Sequence, residues 1–183
     1  MKKEELGRLY PITIYPYNEK WPFLFENEKQ EILSILGSDI ALRIEHIGST
    51  AVPGLSAKPT VDLLVEIPEG EEVDNFILKE MTKHNYIHMK EQKKHSMFVK
   101  GYTPTGLEEE SFHIHMAPSN QDFLWDRLYF RDYLREHVSI AKKYEHLKVH
   151  LSKMYKNNRE EYTEKKTDFV LKITQIAKNG VKD

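Results

Sequence analysis

The chain of 183 residues contains no cysteine. This absence excludes disulfides, zinc sites with thiolate ligands and cysteine nucleophiles, and it fits a reducing compartment. No apolar run approaches the length of a membrane-spanning helix, and Met1 to Tyr10 lacks the apolar core of a secretory signal. We therefore expect a cytoplasmic protein with no membrane partner.

An excess of charge of one sign is also missing, because the formal net charge is -2. The total charge therefore offers no electrostatic argument for binding nucleic acid. Lysines do gather locally, between residues 83 and 100 and again from Lys142 onward, while acids gather at 66–74 and 108–110. Both a mixed, solvated surface and a dedicated polyanion site fit this distribution.

Hydrophobic periodicity predicts the secondary structure. The sequence predicts one helix that is capped by Asn18, begins with the turn Glu19-Lys20-Trp21 and ends at Gly37, and a second over Glu71–His84. From Gln121 onward the pattern is helical again. Short apolar or alternating runs predict strands at Leu42–Ile47, Val61–Ile67, Tyr86–Met89, Ser96–Lys100 and Phe112–Met116.

This order of elements predicts an α+β fold in a single domain over 1–183. We expect a core at 14–118 built on a small mixed sheet with helices on one side. A C-terminal helical part follows at 119–183. A basic turn at Glu91–Lys94 is expected to join the third and fourth strands, and Thr103–Gly106 to form a loop.

The loop between the first two predicted strands carries the most chemistry. The first strand delivers Gly48 and Ser49, and Lys58 follows before Asp62 opens the next strand. Glycine permits close backbone approach, exposed amides can face an anion, and the serine hydroxyl and lysine add donors. The sequence therefore predicts a phosphate-binding loop, with a purely structural turn as the alternative.

Asp62 is the candidate metal ligand of this loop. A carboxylate at the mouth of an apolar strand is costly unless it is paired or binds a cation, and Mg²⁺ prefers one or two carboxylates plus phosphate oxygens. A capping role or an ion pair with Lys58 is the alternative. Leu64 stands where a second carboxylate would complete an Asp-x-Asp pair. Glu66 lies about 13 Å away along an extended strand, too far to share one metal.

His113 and His115 share one face of a predicted strand, a spacing that can present two imidazoles to one phosphate or one metal. With His46 and Glu45, a zinc site is an alternative, although the spacing fixes no third ligand. Satisfied surface histidines are another. Contact with phosphate, or orientation of the site, is the role we expect.

A segment rich in arginine opens the C-terminal helical part. Arg127, Arg131 and Arg135 are four residues apart on a predicted helix, so they share a face. Guanidinium groups bind phosphate in a bidentate fashion, which predicts a ligand contact. A ladder of internal pairs with Asp126 and Asp132 fits equally well.

These motifs together resemble the GrpB family over nearly the whole chain, from about Ile14 to the last helix. The resemblance implies a fold of the nucleotidyltransferase superfamily, whose pattern is a Gly-Ser turn, an Asp-x-Asp or Asp-x-Glu pair and a third, later carboxylate. Leu64, His113 and His115 depart from that pattern, which puts two-metal catalysis in doubt. The residues that carry the resemblance are Tyr15-Pro16-Tyr17, Trp21-Pro22, His46 to Leu55, Ala57-Lys58-Pro59, Asp62, His113-Ile114-His115 and Phe130 to Arg135.

We therefore expect a nucleotidyltransferase-like protein that binds a nucleotide or another phosphorylated ligand. If it is catalytic, Asp62 would hold one Mg²⁺, while Ser49 and Lys58 would stabilise phosphate charge. Ligand contacts are expected from His46, Gly48, Ser49, Thr50, Lys58, His113, His115 and Arg131. The rival is a non-catalytic module for ligand sensing or protein interaction on the same fold. A third hypothesis, an RNA-linked role, rests on the basic turn around Lys93.

Overall fold

The computed structural model describes residues 8–90 and 95–180, the side chain of Glu109 excepted. The basic turn predicted at Glu91–Lys94 lies outside these residues, and so does the hypothesis that rests on Lys93. Within the described part of the chain, no helix combines the length and the apolar character that crossing a bilayer requires.

Five strands form one mixed sheet in the order β1-β2-β5-β4-β3. The central pair, β2 and β5, is parallel, and the other neighbours are antiparallel. All five predicted strands are present. The predicted loop at Thr103–Gly106 is instead the tight turn of a hairpin, in which Thr103 pairs with Gly106. The strands are β1 (Arg43–Ile47), β2 (Thr60–Glu66), β3 (Ile87–His88), β4 (Ser96–Thr103) and β5 (Gly106–Ala117).

Five helices complete the named elements of the described residues. Helix α1 begins at Trp21, two residues later than predicted, so Lys20 and not Asn18 is its N-cap residue. The Asn18 side chain accepts a hydrogen bond from the Lys20 amide at 3.0 Å, ahead of the helix. Gly37 ends the same helix with a φ of 79°. A single 3₁₀ turn, Ser49–Ala51, follows β1. The helices are α1 (Trp21–Leu36), α2 (Glu71–Lys83), α3 (Asp122–Glu136), α4 (Val138–Met154) and α5 (Arg159–Asn179).

The two faces of the sheet are covered by different helices. Leu63 and Val65 of β2 pack with α1 and α2, in a core that holds most of the apolar side chains. Leu64 points the other way and packs with Leu124 of α3. Because side chains alternate along a strand, Asp62 shares the face of Leu64. The predicted α+β architecture is therefore confirmed, and Asp62 faces the C-terminal helices.

The loop between β1 and β2 is held against these helices. Val52 and Leu55 pack in a cluster with Tyr133, Leu134, Ile140, Tyr144 and Ile173. The Lys148 ammonium donates to the Ser56 carbonyl at 2.5 Å, and Glu145 accepts from the Ser56 amide at 2.8 Å. Helix α4 thus fixes the conformation of the loop on both sides of Ser56.

Candidate functional site

The parallel pairing of β2 with β5 brings the predicted carboxylate and histidines together. Asp62 lies opposite His113, and Leu64 lies opposite His115, so all three polar side chains share one face. One ligand atom from each of Asp62, His113 and His115 lies within 4.8 Å of the others. The three residues therefore form one cluster under the C-terminal helices.

Asp62 is held in its charged form. Its Oδ1 lies 3.1 Å from Nδ1 of His113. Burial alone would raise the pKa of this carboxyl, but the hydrogen bond from His113 and the positive charge of Lys58 keep the pKa well below its usual range. The protein therefore maintains a negative charge at the centre of the cluster.

Gly48 and Ser49 adjoin this carboxylate, as the sequence predicts. Gly48 has φ 74° and ψ -173°, and a methyl group on its Cα would collide with the Asp62 carboxylate. The Ser49 side chain hydrogen-bonds to Tyr144, whose pKa is raised, chiefly by burial. The Gly-Ser turn therefore makes the close backbone approach that glycine alone allows.

Three lysines from different elements gather around the same loop. The ammonium groups of Lys58 and Lys166 lie 5.8 Å and 4.4 Å from the centre of the Tyr162 ring. The Lys148 ammonium lies 5.0 Å from the centre of the Tyr144 ring. Aromatic faces attract cations but leave their charge unneutralised.

The pKa values of all three lysines are lowered, first by burial and then by the positive charge of their neighbours. Burial lowers the pKa of Lys58 to about 8, helped by Arg159 and opposed by Asp62. Burial and the charge of Lys58 lower the pKa of Lys166 to about 8. Burial and the charge of Lys166 lower the pKa of Lys148 to about 7. A bound anion would raise these pKa values again, because its negative charge stabilises the charged form of each lysine.

A second layer of side chains orients the histidines. The Tyr102 hydroxyl lies 2.7 Å from Nε2 of His113 and accepts from Arg159 at 3.2 Å. Nε2 of His95 lies 2.9 Å from Nδ1 of His115. Both histidines of the cluster therefore use one ring nitrogen for a protein partner and keep the other for the site.

A cleft opens beside the cluster. It has a volume of about 960 Å³ and is lined in part by Lys58, Thr60 and Arg159. Tyr15 and Tyr17 also line the cleft, and Tyr15 is half exposed. Lys58 and Arg159 connect the cleft to the Asp62 cluster, through electrostatic contact with Asp62 and through Tyr102 respectively.

Three residues predicted to contact the ligand, His46, Thr50 and Arg131, lie away from the Asp62 cluster. His46 is buried, stacks on Phe25 at 4.7 Å between ring centres, and lies 3.0 Å from the Thr50 hydroxyl. Thr50 in turn donates to the carbonyl of Thr60. Strand alternation explains this placement, because His46 faces α1 whereas the cluster faces α3.

Arg131 is engaged in internal contacts. Its guanidinium donates to Glu45 at 2.8 Å, to the His46 carbonyl at 2.9 Å and to Asp132 at 2.7 Å. Arg135 donates to the Ala51 carbonyl at 2.8 Å. The bonds to Glu45 and to the two carbonyls hold α3 against β1 and the start of the loop. Of the ladder that the sequence allowed as the alternative, the pair with Asp132 is present, whereas Asp126 accepts from Lys178.

Lys148 and Lys166 were not predicted, although the sequence contains a signal for both. Lys148 follows Tyr144 by four residues and precedes Leu151 by three, so it occupies the apolar face of α4. Lys166 stands in the same relation to Tyr162 and Phe169 on α5. A lysine at an apolar helical position is the pattern that would have found them.

Leu64 belongs to the core, with 0% of its surface exposed. It packs with Ile47, Ala117 and Leu124. The expected second carboxylate is thus replaced by a side chain that joins α3 to the sheet. Within the described residues, the cluster of potential metal ligands contains a single carboxylate, that of Asp62.

Comparison with known sequences gives a clear match. The sequence profile described as GrpB protein matches residues 11–176. The UPF0157 protein YqkA of Bacillus subtilis is 33% identical over 177 residues, which are 95% of this chain and 50% of that protein. The chain therefore spans about half the length of this relative.

Comparison with solved structures supports the same assignment. A crystal structure of the conserved protein GrpB from Enterococcus faecalis has a TM-score of 0.79 at 33% identity, covering 92% of this chain and 98% of that chain. The Cid1 poly(U) polymerase has a TM-score of 0.51 at 14% identity, covering 82% of this chain and 46% of that one. The second likeness, at such low identity, establishes a nucleotidyltransferase-like fold alone.

Proposed function

Because this chain belongs to the GrpB family and has a nucleotidyltransferase-like fold, we propose that it binds a nucleotide, or another phosphorylated small molecule, beside the Gly48–Asp62 loop. The observation that carries the proposal is the group of Lys58, Lys148 and Lys166 around one loop. Buried cations that lack full neutralisation favour a ligand with several negative charges.

The cleft has room for the part of the ligand that carries no phosphate. Lys58 and Arg159 are shared between the cleft and the charged cluster, so phosphates at the cluster would leave the remainder of the ligand in the cleft. Tyr15 presents an exposed ring there for stacking with a base. A polymerase of similar fold is described with MgGTP bound, so nucleotides are the first ligands to test.

The expected Mg²⁺ fits these residues poorly. Mg²⁺ takes oxygen ligands in octahedral geometry, whereas two of the three candidate ligand groups around Asp62 are imidazoles. Two-metal transfer needs several carboxylates, and the cluster offers one. No catalytic step through Mg²⁺ is therefore proposed.

A non-catalytic module for ligand sensing or protein interaction is the second candidate. The buried position of Leu64 favours it, because a core residue occupies the place of the partner carboxylate. Incubation with nucleoside triphosphates and a range of acceptors separates the two candidates. Release of pyrophosphate supports an enzyme, and tight binding without release supports the module.

Replacement of Lys166 by methionine tests the binding proposal. We expect wild-type protein in EDTA to bind ATP, UTP or inorganic pyrophosphate by isothermal titration calorimetry. Lys166→Met should weaken binding about tenfold, because a hydrogen bond to a charged group contributes ~1.5–3 kcal/mol. Lys165→Met is the matched control, since Lys165 is adjacent and exposed, and it should leave affinity unchanged.

Two results would contradict the proposal. One is the absence of binding for all three ligands. The other is equal weakening in Lys166→Met and Lys165→Met, which would assign the effect to net charge and not to the cluster.

A further inference from the structure

We infer that Asp62, His113 and His115 form a site for one divalent transition-metal ion of the zinc, manganese or cobalt kind. Their ligand atoms lie within 4.8 Å of one another, so small side-chain movements bring all three to the bond lengths of about 2 Å that one ion requires. Asp62 comes from β2 and both histidines come from β5, so the ladder of the sheet fixes their relative positions. The site therefore rests on two adjacent inner strands of the sheet.

The partner of His113 leaves the correct nitrogen available. A metal-bound histidine normally donates its second ring N–H to a protein acceptor, which fixes the tautomer and the ring orientation. Nε2 of His113 lies 2.7 Å from the Tyr102 hydroxyl, while Nδ1 faces Asp62. Without an ion, Nδ1 of His113 donates to Asp62. The other neutral tautomer donates from Nε2 to Tyr102 and leaves the lone pair of Nδ1 for an ion bound between the ring and the carboxylate.

His115 is oriented in the same manner by another histidine. Nδ1 of His115 lies 2.9 Å from Nε2 of His95. Donation from His115 to His95 places the proton on Nδ1 and leaves Nε2 as the ligand nitrogen. Two histidines with independent orienting partners, beside one carboxylate, match the three protein ligands of open metal sites.

The ligand atoms of the cluster also select the metal. Imidazole ligands bind borderline metals such as Zn²⁺ through stronger donor bonds, whereas Mg²⁺ prefers oxygen. The positive charge of Lys58 acts on Asp62, and that of Arg127 acts on His115. These charges oppose all divalent ions alike, so the two imidazoles are what favour the transition metals over Mg²⁺.

Titration of the metal-free protein tests this site. The full chain is treated with EDTA, freed of chelator, and titrated calorimetrically with ZnCl₂ without nucleotide. We expect one zinc per chain and no competition from a large excess of Mg²⁺. Co²⁺ should give the visible absorption of a site with nitrogen ligands.

Variants assign the binding to the cluster. His113→Ala and Asp62→Asn should each lower zinc affinity at least about tenfold, and His95→Ala about 10–100-fold through His115. His150→Ala is the control, because His150 is exposed on α4. Circular dichroism confirms that each variant is folded.

The inference is overturned if wild-type protein takes up no zinc, if Mg²⁺ displaces it, or if His150→Ala weakens binding as much as His113→Ala. The competition between Mg²⁺ and zinc is measured on wild-type protein, so it tests the inference even if a variant unfolds. Because no nucleotide is present here and no metal is present in the titrations with Lys166→Met, failure of this inference is distinguishable from failure of nucleotide binding.

Discussion

The backbone of Gly48 lies so close to Asp62 that no side chain fits between them. Its φ is 74°, and an added methyl group would collide with the carboxylate of Asp62. Gly54 has a similar φ of 78°, but a methyl group there meets nothing within 4 Å. Both glycines therefore have a positive φ, but Gly48 is also crowded, and its ψ of -173° lies in a region that is almost restricted to glycine.

Replacement of each glycine by alanine measures the two effects. Gly54→Ala should lower the free energy of unfolding by about 1 kcal/mol, the cost of a positive φ. Gly48→Ala should cost ~2–3 kcal/mol, because the Asp62 carboxylate must also move. Urea unfolding measures both, and equal costs would show that the approach of Gly48 to Asp62 is unimportant.

For single residues, the sequence predicted the location correctly where the polar side chain lies at the end of a predicted strand. Gly48, Ser49 and Asp62 lie at the ends of two strands, so local pattern was enough to place them. His46 and Arg131 were predicted as ligand contacts, but they bond to Thr50 and Glu45 instead. The partner of a polar side chain depends on how helices and strands pack together. The local spacing of residues does not contain that information.

On α4 and α5 the apolar face of each helix contains one lysine. Lys148 and Lys166 have pKa values lowered to about 7 and about 8, whereas lysine in an unfolded chain titrates near 10.4. Between these values the unfolded state binds more protons than the folded state. The free energy of unfolding therefore rises with pH in this range, since the burial penalty is complete only where the lysines are charged.

The pH dependence of stability tests this account of the helices. The urea midpoint of the ligand-free protein should rise between about pH 7 and pH 9. Lys166→Met should raise the midpoint at pH 7 and flatten the slope, because it removes a buried charge and the repulsion of Lys58 and Lys148. Lys165→Met should keep the wild-type slope. An identical slope in both variants would count against buried, titrating lysines.

At the scale of elements, the existence and type of the strands followed from periodicity, whereas their pairing did not. Asp62 and His113 are neighbours in the sheet although α2, β3 and β4 lie between them in the chain. Parallel pairing over such a separation leaves no local signal. The strand of Asp62 and the strand of the two histidines were therefore predicted separately, and the structure supplied their pairing.

Across the whole molecule, two apolar cores lie on opposite faces of one sheet. The chain has two tryptophans, and each reports on one core. Trp21 belongs to the core with α1, while Trp125 packs beside Leu64 and donates to the Pro118 carbonyl at 3.1 Å. Because β2 contributes to both cores, we expect the molecule to unfold as one unit.

Single-tryptophan variants test this cooperativity. Trp125→Phe leaves Trp21 as the fluorescent reporter, and Trp21→Phe leaves Trp125. In each variant the urea transition seen by fluorescence should coincide with that seen by far-UV circular dichroism. A separate transition for Trp125 would instead mean that the C-terminal helices detach from the sheet before it unfolds.

The parallel pairing of β2 with β5 also sets an order of events during synthesis. As the chain leaves the ribosome, β2 can pair with β1 at once, but its other edge waits until β5 has been made. An unpaired apolar edge is prone to association with other chains. Lys148 and Lys166 emerge later still, so the nascent chain carries Asp62 and Lys58 before it carries the other two lysines of the finished site.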